Sequence, residues 1–364
     1  MPAELLFWQI VETVLTKVEM YLRFNSWLIL LLLLVSTSGC GRFVARRMVQ
    51  APNTYPTWIA PEPPVELAFD SLLLTNFPAH QVAVGPPEAQ LHYRVIDPAN
   101  FHLSISSTNW VERKRSRWRF TFQTRLPAET NPWTQSPRGT VVLLHGYGLA
   151  QFAMFPWALY LAEDGWRCVL VDLRGHGAST GDRIFFGIQE TNDLSRLLDA
   201  LARDGQLLSP VAAIGESYGA ALSLRWKTVE PRLDAVVAVA PYASLSNATL
   251  NLGREYARWF PQVFLKAGLK QLPGVLKVEP GELNTLTVLN RSPVSALIVA
   301  GMEDKIMPPD QVQRVFDAAA PGSQLLKVVG ASHEAVPYYF DVLGPPVKSW
   351  LDLQTNSAEA ISGN

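Results

Sequence analysis

One serine stands between two glycines in a pattern that can supply a nucleophile. Residues 213–224 read Ala-Ile-Gly-Glu-Ser-Tyr-Gly-Ala-Ala-Leu-Ser-Leu, which places Ser217 between Gly215 and Gly219. The apolar run before Gly215 predicts a β-strand, and the small and aliphatic residues after Gly219 predict a helix. A serine on so sharp a turn from strand to helix is exposed at the tip of a sheet, where its hydroxyl can attack a substrate. Because such a pattern is weak evidence when it stands alone, the rest of the chain must supply partners for the serine.

Strands and helices alternate on both sides of this serine. Leucines at 194, 197, 198 and 201 have the spacing of an amphipathic helix, and Glu190 and Asp193 ahead of them are expected at its N-terminus. Three short runs of period two, at 91–96, 101–106 and 118–123, predict antiparallel strands. Repeated β-α units predict a doubly wound, mostly parallel α/β sheet. Six apolar runs predict its parallel strands, at 141–144, 168–171, 211–214, 235–240, 296–300 and 325–329.

One interval interrupts the alternation. Residues 243–290 separate two predicted strands by far more than one helix requires, and they contain the aromatic residues Tyr256, Trp259 and Phe260. An insertion here would lie over the carboxyl ends of the strands, where open α/β sheets bind ligands. We therefore expect a helical lid at about 243–290, with these three aromatics either contacting substrate or packing the lid itself.

Composition excludes several classes of function. The net charge is −1 and no basic tract with interleaved aromatics is present, so a nucleic-acid partner is not expected. The two cysteines, Cys40 and Cys168, cannot make a disulfide framework, and the sequence has no Cys/His cluster that would hold zinc. Cys168 opens a predicted strand and is expected to be a buried, inert thiol.

The N-terminal region resembles an export signal. Residues 27–35 are an unbroken apolar run, followed by Ser-Thr-Ser-Gly and then Cys40. This order resembles a bacterial lipobox, whose cysteine becomes the lipidated first residue, and predicts a lipid-anchored protein of the cell envelope that faces the periplasm or exterior. Secretion and a retained N-terminal anchor remain alternatives, the latter favoured by Arg42, Arg46 and Arg47 after the run. Met20 is an alternative start, since residues 1–19 make a long lead for a signal.

These patterns predict four regions. Residues 1–39 are expected to be the signal sequence and residues 40–85, with prolines concentrated at 52–64, a membrane-proximal tether. The catalytic domain is expected at 86–352, and residues 353–364 are expected to be a disordered tail.

A second motif supplies candidate hydrogen-bond donors. The first predicted parallel strand ends in His145-Gly146-Tyr147-Gly148. A turn here can aim a backbone N–H at an oxygen beside Ser217, and Tyr218 N–H would be the second donor of an oxyanion hole. Tyr147 is the favoured donor in the turn, with Gly146 as its rival. His145 is expected to be hydrogen-bonded to backbone, and not to act as a base.

Five motifs, taken in chain order, resemble those of the α/β-hydrolase superfamily, and especially serine hydrolases of the lysophospholipase, monoacylglycerol lipase and serine aminopeptidase type. They are His-Gly-Tyr-Gly at 145, Asp-Leu-Arg-Gly-His-Gly-Ala-Ser at 172, Gly-Glu-Ser-Tyr-Gly at 215, Gly-Met-Glu-Asp at 301 with Met-Pro at 307, and Gly-Ala-Ser-His at 330. The resemblance covers roughly residues 90–352. It implies the α/β-hydrolase fold with antiparallel N-terminal strands and a helical lid.

The resemblance also assigns a catalytic triad. Asp304 matches the triad acid and His333 the base, in the chain order Ser, Asp, His. The chemistry of serine hydrolysis agrees, because a serine hydroxyl needs a base to remove its proton and a carboxylate to orient that base. Glu303 competes with Asp304, but the family pattern places the acid three residues after Gly301. His176 is expected to brace its loop, and Glu216 and Glu334 are expected either to tune the site or to be solvated.

The expected activity is hydrolysis of a carboxylic ester through an acyl-enzyme on Ser217, without a metal or organic cofactor. The apolar lid, together with Phe152, Phe155 and Trp157, favours an apolar acyl or alkyl group such as that of a monoacylglycerol or lysophospholipid. A peptidase or amidase of the same fold is the first alternative. A non-catalytic scaffold is the second, because a fold by itself does not identify a function.

Overall fold

The computed structural model describes residues 38–54, 65–112, 115–125 and 134–362, and these form two compact units. Residues 38–48 and 259–277 make up the smaller unit, and the other described residues make up the larger one. The predicted signal run at 27–35 lies outside the described residues.

The strands are β1 (Val65–Ala68), β2 (Ala79–Val84), β3 (Ala89–Ile96), β4 (Ser104–Glu112), β5 (Arg115–Gln123), β6 (Thr140–Leu144), β7 (Arg167–Val171), β8 (Val211–Glu216), β9 (Leu233–Val239), β10 (Leu297–Gly301) and β11 (Gln324–Val328). The helices are α1 (Ser38–Met48), α2 (Phe155–Ala162), α3 (Glu190–Arg203), α4 (Tyr218–Lys227), α5 (Leu245–Tyr256), α6 (Gln262–Leu276), α7 (Thr285–Arg291), α8 (Pro309–Asp317) and α9 (Phe340–Ser362).

The larger unit is built on an eight-stranded sheet in the order β11-β10-β9-β8-β6-β7-β3-β2. The six strands from β11 to β7 are parallel to one another, and β3 and β2 are antiparallel additions at one edge. Every residue of β6 and β8 is buried, which is why these strands read as continuous apolar runs and do not alternate. The predicted doubly wound sheet is confirmed, including its six parallel strands.

A separate three-stranded sheet in the order β1-β5-β4 lies outside this main sheet. Its β5 carries Phe120 and Phe122 on one face, and both rings are buried against Tyr338. The alternation of aromatic and polar residues in β5 therefore has its expected cause, a strand with one buried face.

The limits of the domain differ from the sequence prediction at both ends. Residues 40–85 are not simply a tether, because they include most of α1 and all of β1 and β2, and β2 pairs with the edge of β3 from Ala79 to Val84. The predicted boundary at 86 is therefore too late. The predicted disordered tail is also wrong for residues 353–362, which continue α9 to Ser362. No glycine or proline after Pro346 interrupts that helix.

The interval at 243–290 is helical, and it is divided between the two units. Helices α5 and α7 belong to the larger unit, whereas α6 belongs to the smaller one, where it packs with α1. Among the described helices, none combines the length and the apolar character needed to cross a bilayer. The role of the interval as a lid stays a prediction.

Candidate active site

The turn between β8 and α4 holds Ser217 in a strained backbone conformation. Its φ is 52° and its ψ is −107°, a region that residues with a side chain rarely adopt. A Cβ atom on Gly215 would collide with the backbone of Gly219, and one on Gly219 would collide with the carbonyl of Leu144. Both glycines are therefore required for the strand, the serine and the helix to meet so closely, as the sequence pattern predicts.

Three side chains from different loops meet at this turn. His333 Nε2 lies 2.9 Å from Ser217 Oγ, and His333 Nδ1 lies 2.7 Å from Asp304 Oδ2. Ser217 follows β8, Asp304 follows β10 and His333 follows β11, so the carboxyl ends of three parallel strands bring them together. The structure thus places the three predicted triad residues in one hydrogen-bonded chain.

The loop after β10 fixes the Asp304 carboxylate. Oδ1 accepts backbone N–H groups from Ile306 at 2.8 Å and Met307 at 2.7 Å, which leaves Oδ2 for His333. Asp304 is buried, whereas the side chain of its rival Glu303 is exposed. The carboxylate that contacts His333 is therefore that of Asp304.

The surroundings of His333 favour its protonated form. Burial by itself lowers the pKa of His333, but the charge of Asp304, the hydrogen bond to it and the charge of Glu216 raise the pKa above its ordinary value on balance. Since Nδ1–H donates to Asp304, Nε2 of the neutral ring is left as the acceptor that faces Ser217. That tautomer can take a proton from the serine hydroxyl.

The turn after β6 lies next to the serine. Leu149 N–H donates to the Gly146 carbonyl at 3.2 Å, and Gly148 has a φ of +73°, the conformation that glycine supplies at the third position of a type II turn. Gly146 N–H donates to Glu216 Oε1 at 3.1 Å. This donor is therefore engaged within the protein, and the choice of Tyr147 as the donor of the turn stays a prediction.

Tyr218, the other predicted donor, is the first residue of α4. The N–H groups in the first turn of a helix have no acceptor within the helix, and the helix dipole adds partial positive charge there. The position of Tyr218 therefore suits an oxyanion, and its role as a donor stays a prediction.

His145 and His176 have structural roles. His145 Nδ1 donates to the Gly146 carbonyl at 2.8 Å, and Nε2 accepts Leu173 N–H at 3.0 Å, so both ring nitrogens are occupied by backbone. Burial lowers the pKa of His145 and also lowers that of His176, to about 3, which keeps both rings neutral. His176 Nδ1 donates to the Arg174 carbonyl, and its ring stacks on Tyr218. Both predictions for these histidines are confirmed.

The loop at 172–179 is braced by buried polar contacts that the sequence only partly predicts. Asp172 accepts the backbone and side-chain N–H groups of Gln151 at 2.7 and 2.9 Å. Asp193 lies in the first turn of α3, as predicted, and it also forms a buried bidentate pair with Arg174. Glu190 accepts backbone N–H groups just ahead of α3. No sequence pattern marks Gln151 or the Arg174 pair, since both contacts join residues distant in the chain.

Glu216 has a more definite place than the sequence indicated. Its carboxylate is buried beside Ser217 and holds the turn after β6 through Gly146. Burial raises the pKa of Glu216 to about 7, against the lowering effects of the Gly146 hydrogen bond and the charge of His333. An acidic residue immediately before the serine was the only signal in the sequence for this contact.

Glu334 follows His333 directly in the chain. It accepts hydrogen bonds from the Tyr256 hydroxyl through Oε1 and from Ser332 Oγ, at 3.1 Å, through Oε2. Burial raises the pKa of Glu334 to about 7. Tyr256, predicted as a lid residue, thus joins the end of α5 to the loop that carries His333. Asn251, also in α5, donates to the Ile306 carbonyl in the Asp304 loop.

Trp259 and Phe260, predicted together with Tyr256 as lid or substrate residues, belong to the smaller unit. Trp259 and Phe260 contact each other in the smaller unit, with ring centroids 5.8 Å apart. Phe155 and Trp157 are buried in the core of the larger unit, where Trp157 Nε1 donates to the Pro337 carbonyl. Phe152 stacks on Phe69. Phe155 and Trp157 therefore pack the core of the larger unit, and the expectation of an apolar acyl group stays a prediction.

Comparisons with known proteins agree with this fold. Residues 135–284 match the model of the family described as serine aminopeptidase, S33. The chain is 22% identical over 227 residues to the uncharacterized protein YqkD of Bacillus subtilis, which covers 60% of this chain and 73% of that protein.

Solved structures resemble the chain over most of its length. The esterase Pf2001 of Pyrococcus furiosus superposes with a TM-score of 0.57 at 19% identity, covering 81% of this chain and 98% of the esterase. The α/β hydrolase GrgF of Penicillium sp. sh18 gives a TM-score of 0.51 at 16% identity, covering 77% and 99% of the two chains. At these identities the likeness shows the fold. Together with the ordered motifs and the match of residues 135–284, it supports an α/β-hydrolase fold for the chain.

Proposed function

We propose that the chain is a serine hydrolase that cleaves carboxylic esters through an acyl-enzyme on Ser217. The observation that carries the proposal is the hydrogen-bonded chain from Ser217 through His333 to Asp304, with distances of 2.9 and 2.7 Å. A serine hydroxyl is a poor nucleophile unless a base removes its proton, and this geometry provides the base in the required tautomer.

In the proposed reaction, Ser217 Oγ attacks the ester carbonyl carbon while its proton passes to His333 Nε2. The backbone N–H groups of Tyr147 and Tyr218 stabilise the negative oxygen of the tetrahedral intermediate. His333 then gives the proton to the departing alkoxide, and the acyl group stays on Ser217. A water molecule then attacks the acyl-enzyme with the same proton transfers through His333, which releases the carboxylic acid and restores Ser217. Asp304 remains ionised and orients His333 throughout.

The test is hydrolysis of p-nitrophenyl esters from acetate to palmitate by the purified chain and its Ser217→Ala variant. We expect turnover by the parent chain and a loss of about 10⁶-fold in kcat for the variant, comparable to losses for other serine nucleophiles. Ser246→Ala, on an exposed position of α5, is the matched control and should leave the rate unchanged. The chain length that gives the highest kcat/KM reports the size of the acyl site.

An amidase or peptidase is the second candidate, favoured by the match of residues 135–284 to the serine aminopeptidase model. Both reactions use the same acyl-enzyme and differ in the leaving group. Turnover of aminoacyl p-nitroanilides without turnover of any ester, together with labelling of Ser217 by a fluorophosphonate, would establish this candidate. Absence of labelling would favour a non-catalytic scaffold.

We also propose that the protein is held at a membrane of the bacterial cell envelope, facing the periplasm or exterior, through a lipid on Cys40. Support comes from the apolar run at 27–35 and the small residues that precede Cys40. Mass spectrometry of the mature N-terminus tests this: a diacylglyceryl cysteine is expected at residue 40 and should be lost in Cys40→Ala. An N-terminus at Met1 or Met20 would instead indicate a retained anchor, and an unmodified N-terminus near residue 40 would indicate secretion.

A further inference from the structure

The smaller unit is a tightly packed pair of helices, α1 and α6. A Cβ atom on Gly41 of α1 would lie 2.8 Å from the Ala267 carbonyl oxygen of α6. A Cβ atom on Gly268 of α6 would lie 2.5 Å from Val44 Cγ1 of α1. The helices thus approach each other closely at Gly41 and Gly268, with the side chains of Val44, Met48 and Gln271 packed beside these glycines.

The charge of this helix pair is very different from that of the whole chain. The described residues of the unit, 38–48 and 259–277, contain six basic residues and no Asp or Glu, although the chain as a whole has a net charge of −1. The basic residues are Arg42, Arg46, Arg47, Lys266, Lys270 and Lys277. So concentrated a positive charge favours an anionic partner.

The exposed residues of the pair combine these cations with apolar groups. In α1, Phe43 is 61% exposed, and the Arg47 guanidinium lies over its ring at 5.8 Å from the centroid. Just ahead of α6, Trp259 is 81% exposed, and Val263 is exposed on the same helix as Lys266 and Lys270. Large exposed aromatics beside lysine and arginine are typical of helices that lie in the interface of a lipid bilayer.

The chain delivers this unit to a membrane by a short path. The apolar run ends at Val35, and α1 begins at Ser38, so the separation of these residues is at most about 10 Å. If the run is removed and Cys40 carries a lipid, the lipid lies in the first turn of α1 itself. Whether the apolar run stays in the membrane or Cys40 carries a lipid, the basic helices are brought to the headgroups. A nucleic acid or an acidic protein has no such link to this part of the chain.

We infer that the helix pair α1/α6 is a binding surface for anionic phospholipids, with its cations contacting the phosphate groups and its exposed aromatics entering the interface. The inference does not rest on the proposed ester hydrolysis. It concerns a surface of the smaller unit alone.

Sedimentation with lipid vesicles tests the inference on the full chain. Vesicles of phosphatidylcholine are compared with vesicles containing 30% phosphatidylglycerol, and the lipid concentration for half-maximal binding is measured. Phosphatidylglycerol is expected to strengthen binding, and the Lys266→Gln/Lys270→Gln variant is expected to lose about 25-fold of the affinity for the anionic vesicles, roughly fivefold for each cation. Salt at 0.5 M should weaken binding of the parent to the anionic vesicles by the same factor, because it screens the attraction between the cations and the phosphate groups.

The matched control is Arg203→Gln/Lys327→Gln, which removes two exposed charges from the larger unit. It should bind anionic vesicles like the parent, and all three proteins should unfold at the same temperature, which shows that the substitutions leave the fold intact. Equal binding of the parent to both kinds of vesicle, or an equal loss in the control, would overturn the inference. The inference would also be overturned if the lysine variant bound duplex DNA more weakly than the parent but bound anionic vesicles equally well.

A local measurement separates lipid binding by the helix pair from lipid binding by the apolar run at 27–35, which is also expected to bind lipid. The vesicle-bound full chain is acetylated with a water-soluble amine reagent, and the rates at Lys266 and Lys270 are compared with the rate at Lys327 by mass spectrometry. On anionic vesicles the first two should be protected relative to phosphatidylcholine vesicles, and Lys327 should not. Equal rates at all three lysines would mean that the helix pair does not contact the lipid.

Discussion

The Glu216 carboxylate accepts the backbone N–H of Gly146 at 3.1 Å, and so joins the residue before the candidate nucleophile to the turn that carries Tyr147. Glu216 is buried at this contact. One side chain therefore spans the two parts of the proposed oxyanion site, which lie at the ends of β6 and β8. This relationship makes Glu216 a positioning residue in the proposed reaction.

Removing this acceptor should impair catalysis more than binding. We expect Glu216→Ala to lower kcat by about 10- to 100-fold, because the turn with Tyr147 loses its anchor, against losses of 10²–10³ when a donor is removed outright. Glu216→Gln keeps an oxygen acceptor for Gly146 and should recover most of kcat. If both variants lose kcat equally, the charge of Glu216, and not its hydrogen bond, is what matters.

The same pair of variants predicts a change in the pH profile. The charge of Glu216 raises the pKa of His333, and His333 must be neutral to act as a base. Glu216→Gln removes that charge, so the acidic limb of kcat/KM should move to lower pH. The profile is measured from pH 5 to 9 with p-nitrophenyl acetate. A limb that moves to higher pH would contradict the assignment of His333 as the base.

Asp304→Asn should reduce kcat by about 10⁴-fold without unfolding the chain. The reason is that the two oxygens of this carboxylate have different hydrogen-bond partners. Oδ1 accepts N–H groups from Ile306 and Met307, so an asparagine will place its oxygen there and turn its NH₂ toward His333. The imidazole must then accept at Nδ1, and its proton moves to Nε2, where it can no longer remove the proton of Ser217.

The rate is measured with the ester series, and folding is checked by thermal unfolding. Glu303→Gln is the matched control, because its side chain is exposed beside Asp304. A rate loss in Glu303→Gln with an active Asp304→Asn would reverse the assignment of the acid.

A methyl group on Gly219 should destabilise the protein. Its Cβ would collide with the Leu144 carbonyl where α4 crosses β6, and overpacking of this kind costs about 3 kcal/mol or more when only backbone can move. Gly274→Ala in α6 is the control, because no atom lies within 4 Å of the added Cβ. That variant should be slightly stabilised, by about 0.5–1 kcal/mol. Urea unfolding of both variants checks the prediction.

Replacing Glu334 by glutamine should stabilise the protein above neutral pH. Folding raises the pKa of Glu334 from its ordinary 4.5 to about 7 through burial, so the folded state binds more protons than the unfolded state between these values. The free energy of unfolding of the parent chain therefore falls as pH rises through this window. Glutamine does not ionise, so Glu334→Gln does not lose stability in this window. The variant should be more stable than the parent by about 2–3 kcal/mol at pH 8, with no gain at pH 4.

Urea unfolding at the two pH values gives this difference directly. The amide oxygen of the variant can still accept the Tyr256 hydroxyl, so the contact with α5 is retained. An equal gain at both pH values would mean that packing, and not ionisation, is responsible.

Much of the site could be read from the sequence because its signals are local. Gly215 and Gly219 flank Ser217 within five residues, and their need follows from the backbone of the turn itself. The continuous apolar runs identified the parallel strands, since a strand buried on both faces must be apolar throughout. Prediction was weaker at the ends of the domain, where the pairing of β2 with β3 and the continuation of α9 depend on contacts or on the absence of helix breakers over a long stretch.

The sequence by itself determined the α/β sheet and the elbow at Ser217 through residue type and order along the chain, and it identified Asp304 and His333 as partners of the serine through the resemblance of its ordered motifs to those of a known superfamily. Only the tertiary structure decided that Glu216 holds Gly146, that Tyr256 reaches Glu334, that Asp193 pairs with Arg174 and that α1 lies against α6. The physical reason is distance along the chain. Nearly all of these contacts join residues far apart in sequence, and a hydrogen bond or a close helix crossing depends on positions in space that no local pattern specifies.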